Sequence, residues 1–245
     1  MASANAHSPP EVSRVTVIVP AWNEEAQLPA CLRSIGLARP GLEVIVADGG
    51  STDLTVGLAR VVGAKVVVSP VRQRAAQLNL AAESAQGEAL LFLHADTLLP
   101  DHWLEHLRAT LDSDPKVIGG AFCRRFDHPS WWLRGTSYLA DWRGRLWGCF
   151  LGDQAMFIRT SVFRDLGGFK PIDRCEDLEL SLRMVRAGRT RMISPPVLSS
   201  GRRFLGRGPV RQTLMDFHTA WRFISDWSLN GNDSRPTPCG VASKL

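Results

Sequence analysis

Apolar and polar positions alternate in blocks along the first half of the chain. Val15 to Pro20 (VTVIVP) is an unbroken, mostly β-branched run, which predicts a strand buried on both faces. Leu28, Cys31, Leu32 and Ile35 then fall at i, i+3, i+4 and i+7, the stripe of an amphipathic helix. Leu42 to Ala47 (LEVIVA) predicts a second strand, followed by a helix to about Val62 and a third strand over Ala64 to Val68. Ala75 to Gln86 is alanine-rich and reads as a helix, and Ala89 to His94 as a fourth strand. Pro100-Asp101 opens another helix, with Trp103, Leu104, Leu107 and Leu111 on one face.

Strands alternating with helices for about 110 residues predict an α/β fold, a mostly parallel central sheet with helices on both faces. Ligands of such sheets bind at the carboxyl ends of the strands. Four polar features fall there: Ala21-Trp22-Asn23-Glu24, Asp48-Gly49-Gly50, the Arg72/Arg74 segment and His94-Ala95-Asp96. They converge on one crevice.

The second half is less regular. It holds a Trp-rich region (Trp131, Trp132, Trp142, Trp147) and a Gly152-Asp153-Gln154 turn before a short strand. Glu176-Asp177 then leads into LELSLRMVRAG, where the patterns conflict. Leu178, Leu180, Leu182 and Met184 alternate as in a strand, whereas Leu178, Leu182 and Val185 make a helical stripe. Ala187-Gly188 has the form of a helix C-cap, which favours the helix. After Pro209, the residues Val210, Leu214, Phe217, Trp221 and Ile224 predict a C-terminal amphipathic helix. The organisation expected is a disordered lead over 1–13, one domain over 14–208 with halves at 14–113 and 114–208, a helix over 209–228 and a loose tail over 229–245.

A chain of 245 residues, 44% hydrophobic and 22% charged, has ordinary globular usage. Its net charge is +5, and lysine supplies only four (Lys65, Lys116, Lys170, Lys244) of the 29 basic residues. Arginine forks suit phosphates and carboxylates, so a phosphorylated ligand or an anionic membrane surface is favoured. No basic run is interleaved with aromatics, which argues against nucleic acid. The five cysteines include no C-x-x-C pair, which argues against a zinc knuckle or disulfide framework and fits a reducing cytosol. MASANAHSPPEVSR lacks the apolar core of a signal peptide, and no run approaches the ~18 apolar residues of a membrane span. The expectation is a cytoplasmic protein, at most peripheral to the inner membrane face; a homodimer is compatible with the same sequence.

Five stretches in order carry a resemblance: VIVPAWNEE (17–25), VIVADGGSTD (44–53), GEALLFLHAD (87–96), LGGFKPIDRCEDLELSLRMVRAG (166–188) and SGRRFLGRG (200–208). Together the chain resembles a family 2 glycosyltransferase of the GT-A fold, over roughly residues 14–210, and is most similar to a small soluble branch with DGGSTD and FLHADT. Each motif is weak alone; all five at these spacings are specific. Two positions depart from the common pattern. Gly49 stands where the family has the second Asp of D-D-G-S, and His94 where it has the first Asp of the D-x-D metal motif.

The resemblance implies a nucleoside-diphosphate-sugar donor, an unidentified acceptor hydroxyl and a divalent cation, Mn2+ or Mg2+. Pro20, Ala21, Trp22 and Glu24 match positions around base and ribose, and Asp48 and Gly49 those beside the nucleoside. Arg74 is a candidate nucleotide contact at the head of a helix whose Gln77 and Asn79 line the crevice; a solvated face is the alternative. His94 and Asp96, with Ala95 between them, would face one ion if the segment is extended, since i and i+2 point the same way. Magnesium commonly takes one or two carboxylates and draws its other ligands from phosphates and water, while an imidazole tilts preference to manganese. The bland alternatives are turn caps for Asp48 and Asp96, a packed strand end for His94, and helix-terminal charge for Glu24.

Asp177, paired with Glu176, matches the catalytic carboxylate of an inverting transferase, the base that takes the acceptor's proton. Glu176 and Glu179 would crowd it with like charge. Asp153 and Gln154 are candidates for acceptor or sugar contacts, against a plain turn. Arg202, Arg203 and Arg207 could clamp the diphosphate or be surface charge. The tryptophans suit an acceptor platform, a lipid-facing patch or core. A nucleotidyltransferase would want a Gly-rich basic loop where PAWNEE stands. A haloacid-dehalogenase phosphatase would need an Asp at the place of His94. A non-catalytic nucleotide-sugar binder is the alternative that Gly49 and His94 suit best.

Overall fold

The computed structural model describes residues 12–205 and 208–229. In chain order the first half holds β1 (Val15–Ala21), α1 (Leu28–Ile35), β2 (Leu42–Asp48), α2 (Thr55–Val61), β3 (Lys65–Val68), α3 (Arg74–Glu83), β4 (Ala89–Phe92), β5 (Thr97–Leu98) and α4 (Trp103–Asp112). The second half holds β6 (Val117–Phe126), α5 (Trp131–Trp147), β7 (Met156–Arg159), α6 (Thr160–Asp165), α7 (Glu176–Ala187), β8 (Arg189–Ser199), α8 (Arg202–Leu205) and α9 (Pro209–Leu229). Among the described residues the strands form one sheet in the order β3-β2-β1-β4-β7-β6-β8-β5.

Strands β3, β2, β1 and β4 run parallel, as their continuous apolar runs predict. Along β1 the side chains alternate between two cores. Val15, Val17 and Val19 join α1 and α4 on one face, whereas Ile18 joins α3, α6 and α7 on the other. β7 reverses the direction beside β4, and β6 pairs in parallel with β8. β1 runs three residues past the end of β4, so a gap opens between their carboxyl ends. There Leu93 N–H donates to Ile18 O, 3.0 Å away, and the chain turns. β4 therefore ends at Phe92, and His94-Ala95-Asp96 is a loop rather than strand.

The second half is far more regular than its sequence pattern. β6 spans ten residues, α5 seventeen and β8 eleven. Gly119-Gly120 hides β6 because glycine has little strand preference. A Cβ on Gly120 would lie 1.8 Å from Arg191 O, so the β6–β8 approach admits only hydrogen at that position. Pro195-Pro196 obscures β8 in the same way. LELSLRMVRAG is helical, but its buried residues are Leu178, Glu179, Leu180, Ser181 and Met184, with Val185 40% exposed.

The C-terminal helix has the predicted period and the opposite orientation. The row Val210, Leu214, Phe217 and Trp221 faces outward at 44–63% exposure. Its inward side is largely polar near the start, where Thr213 accepts from Trp132 Nε1 at 3.2 Å and Asp216 pairs with Arg203. Further along, Phe223 is buried and Ile224, expected in the row, is half-buried. Val12, expected in the loose lead, is buried, its N–H donating to Asp112 Oδ1 at 2.9 Å. The remainder of the lead (1–11) and residues 230–245 of the tail lie outside the described residues. Among those described, no helix is long and apolar enough to cross a membrane.

Candidate active site

The first two loop motifs are stapled to each other. Asn23, in the left-handed region at φ 51°, donates its N–H to Ser51 Oγ and accepts from Thr52 N–H on Oδ1. Glu24 N–H donates to Thr55 Oγ1, and Glu25 and Asp53 accept from each other's loop, at Leu54 N–H and Glu25 N–H. Asp48 is buried, and its carboxylate closes its own turn by accepting from Gly50 N–H (2.8 Å), Ser51 N–H (3.0 Å) and Ser51 Oγ (2.5 Å). It does not line the crevice, so the turn-capping alternative describes its position. Gly49 is also behind the wall. A Cβ there would meet Gln77 Nε2 at 2.9 Å, and that amide donates to Ala21 O and Ala47 O instead. Gln77 thus fills the space of the missing second Asp and ties the ends of β1 and β2.

Two cavities follow the carboxyl edge of the sheet. One, about 350 Å³, is lined by Pro20, Ala21, Trp22, Glu24, Arg72, Arg74, Gln77 and the His94-Ala95-Asp96 loop. Seven residues of the first half, all expected at the crevice, and that loop are therefore brought together. Arg72 stacks its guanidinium over the Trp22 ring, 3.2 Å from the centroid. The second cavity, about 480 Å³, shares Arg74, His94 and Asp96 with the first and adds Gly152, Asp153, Glu176, Asp177, Arg203 and the inner side of α9. Asn79 is not in either wall. Its amide donates to Phe169 O and accepts from Phe169 N–H, both at 2.8 Å, and so joins α3 to the second half.

Asp177 sits in the first turn of α7, where the helix dipole favours a carboxylate. Oδ1 accepts from Leu178 N–H at 2.7 Å, and Oδ2 accepts from Gly152 N–H in a very short contact. Glu176 is buried, with Arg74 Nε 3.2 Å from its Oε1 but not aligned as a hydrogen bond. Burial pushes the Glu176 carboxyl up, Arg74 draws it down, and the Asp177 charge adds to the rise. Glu179 does not crowd Asp177. It is buried against Arg183, which donates Nε and Nη2 to its carboxylate at 2.6–2.9 Å and also caps Leu166 O and Gly168 O. The first helical turn separates the two acids onto different faces.

Gly152 is the point of closest convergence. A Cβ on it would lie 2.6 Å from both Arg74 Nη2 and His94 Nε2 and 2.9 Å from Asp177 Oδ2. Beside it Asp153 forms a buried ion pair with Arg124. Burial raises the Asp153 carboxyl, but the charge of Arg124 above all, with Arg203 adding to it, outweighs burial and the net shift is downward. Gln154 is fully buried in the turn, with Oε1 accepting from Leu151 N–H, and lines neither cavity. Its expected ligand contact is replaced by a structural one.

The expected ligand pair His94 and Asp96 divides. Asp96 Oδ2 lies 3.5 Å from Arg202 Nε, and Arg202 Nη2 donates to both oxygens of Glu24 at 2.8 Å. Burial, followed by Arg202 acting the other way, moves the Asp96 carboxyl upward on balance, with Glu24 contributing to the rise. The imidazole of His94 instead faces Gly152, with its Nε2 buried and without a partner among the described residues. Burial first, then Arg74, hold it well below the usual histidine value, so it is neutral. Among the described residues no three His, Cys, Asp or Glu side chains gather as a metal cluster. The loop geometry removes the i, i+2 argument for His94 and leaves Asp96, sharing Arg202 with Glu24, as the carboxylate of the pair that lines the crevice.

Arg203 lines the second cavity while paired with Asp216 at 2.6 Å, and Arg207 lies outside the described residues. Sequence reasoning missed Arg124, Gly152 as a convergence point, and Asp216. A lone arginine within VIGGAFCRRF and a glycine before an acid carry no pattern; only the period of α9 pointed to Asp216, on the side opposite its apolar row.

A family model described as glycosyl transferase family 2 matches residues 16–173. An uncharacterized glycosyltransferase of Mycobacterium tuberculosis is 32% identical over 135 residues, 54% of this chain and 59% of that protein. Among solved structures, the mannosyltransferase PcManGT from Pyrobaculum calidifontis in complex with GDP-Man and Mn2+ superposes with a TM-score of 0.58 at 27% identity, over 76% of this chain and 56% of that one. Residues 1–349 of S. aureus TarS in complex with UDP give 0.64 at 18% identity, over 76% and 60%. The chain thus spans between about two fifths and three fifths of the length of the curated relatives it matches. The expected GT-A fold is the fold of these neighbours.

Proposed function

The chain belongs to glycosyl transferase family 2, and on that premise we propose that it moves a sugar, with inversion, from a nucleoside-diphosphate sugar to an acceptor hydroxyl. The observation that carries this reading is the position of Asp177, fixed by two backbone N–H groups and open to a cavity that adjoins the donor-side loops through Arg74 and His94. The neighbours holding GDP-Man and UDP support a nucleotide donor in the corresponding crevice.

In this reading the Trp22 and Arg72 side holds the nucleoside, and Arg74, Arg202 and Arg203 face the diphosphate. Asp177 accepts the acceptor's hydroxyl proton as that oxygen attacks the anomeric carbon and the bond to the diphosphate breaks, help worth roughly 10²–10⁴-fold. Glu176 acts on Arg74, holding its guanidinium at the junction of the cavities. Neutral His94, with its free Nε2 next to Asp177, orders the polar centre and leaves cation binding to Asp96. A divalent cation bound through Asp96, as the Mn2+ of the Pyrobaculum neighbour suggests, would supply Lewis-acid stabilisation of the departing diphosphate.

The test is a panel of UDP-, GDP- and dTDP-sugars with Mn2+, read both as melting-temperature shift and as donor consumption. Asp177→Asn is expected to keep the shift and lose transfer. Substantial turnover by that variant removes Asp177 as the base, and binding without turnover by the natural chain favours a non-catalytic binder.

A further inference from the structure

Two helices present their apolar sides to solvent. In α5 the inward residues are small or polar, Ser137, Ala140, Asp141 and Gly144 besides Leu133, whereas Trp131, Tyr138, Leu139, Trp142 and Leu146 are 51–78% exposed. That inverts the usual amphipathic arrangement. α9 repeats the inversion with its outward Leu214, Phe217 and Trp221 row, and the two helices meet through the Trp132–Thr213 hydrogen bond. Contiguous exposed apolar rows of this kind mark an interaction surface.

The charges around the rows decide what covers them. Among the described residues the fully exposed side chains of fixed charge on α5 and α9 are arginines, Arg134, Arg145, Arg211 and Arg222, against one partly buried acid, Asp226, a turn beyond Arg222. The carboxylate of Asp141 is withdrawn into a pair with Arg125, and that of Asp216, though partly exposed, is paired with Arg203 on the cavity side of α9. Two copies of such a face would set arginine against arginine, which disfavours self-association. Indole and phenyl rings flanked by guanidinium groups match the interface of an anionic bilayer, where rings lie at headgroup depth and cations meet lipid phosphates.

We propose that the outer faces of α5 and α9 form a docking surface for an anionic lipid membrane. The surface stands independently of the catalytic reading, because none of its residues lines the catalytic or donor cavity except Met215 at its edge. The inner side of α9 does line the larger cavity, so the docked helix would be at once membrane contact and site wall.

The experiment is co-sedimentation of the full chain with vesicles of phosphatidylcholine alone or with about one third phosphatidylglycerol, at ~0.15 M salt. Binding to the anionic vesicles and not the neutral ones is expected. Trp142→Ser combined with Trp221→Ser should cut the bound fraction about ten-fold, and Arg134→Gln with Arg211→Gln and Arg222→Gln should abolish the anionic preference. These side chains are exposed, so unchanged circular dichroism and melting temperature are expected alongside. No binding to anionic vesicles, or binding that both variants leave intact, overturns the proposal. So does a stable dimer in vesicle-free solution that the tryptophan variant dissociates.

Discussion

The frame of the site and its centre treat polar atoms in opposite ways. In the frame, at the Asn23–Thr55 staples, the Asp48 turn and the Glu179–Arg183 pair, side-chain donors and acceptors are matched. At the centre, around Gly152, buried polar atoms are left over: His94 Nε2, Asp153 Oδ1 and Arg124 Nε have no hydrogen-bond partner among the described residues. Orphaned buried groups are costly and normally rare. A protein that saturates its loops and leaves its centre open keeps hydrogen-bonding capacity for something that arrives. Much of the loop motifs thus builds the frame, while the centre sets the motif acid Asp177 among groups that no motif marked, Gly152 and Arg124.

Breaking the frame should give the largest effect on stability. Arg183→Met strands the buried Glu179 carboxylate, and the unfolding free energy should fall by about 3 kcal/mol in chemical denaturation. A loss below about 1 kcal/mol would mean the frame does not depend on its matched pairs. At the centre the effect should be on rate. Gly152→Ala pushes on three side-chain ends at once, which can each retreat, so stability should hold while turnover falls about 10²-fold, or about 2.7 kcal/mol in activation free energy. Equal losses in stability and rate would erase the distinction between frame and centre.

The same contrast has a pH signature. His94 is held neutral in the folded state, while its unfolded counterpart takes a proton below about pH 6.5. The unfolded state then binds more protons, so stability falls as the pH drops through that value. Between pH 6.5 and 5.5 the natural chain should lose about 1 kcal/mol more than His94→Gln. Parallel pH curves for the two proteins would mean the imidazole is not buried neutral. The smallest effect belongs to the rim. Arg72→Ala removes a stacked cation from a solvent-facing ring and should cost about 0.5 kcal/mol in denaturation; a loss several times larger would assign the pair to the frame.

The parallel strands were legible because β1, β2 and β4 are buried on both faces, and burial writes itself as a continuous apolar run. β6 and β8 were not, because close strand approach selects glycine at 120 and because Pro195 and Pro196 sit where composition argues against a strand. Period was readable in α9 and orientation was not, since a stripe states that one face is apolar but not what it faces. In the site, Asp96 and Asp177 stood out through their place in ordered motifs and Arg74 through its place at the head of a helix, and all three line the cavities. Asp48 and Gln154 could be read either way, because a turn cap and a ligand contact use the same residue types, and partner geometry puts both in turns.

The Asn79 amide binds the N–H and C=O of Phe169 as a neighbouring strand's peptide group would. One side chain thus supplies a single rung of sheet between a helix of the donor half and the loop leading to Asp177. A hinge between the halves would have to break that rung, together with the continuous sheet. Ligand entry is therefore a matter of side chains such as Arg202 swinging aside on a fixed backbone, and amide exchange at Phe169 should stay as slow with nucleotide bound as without it.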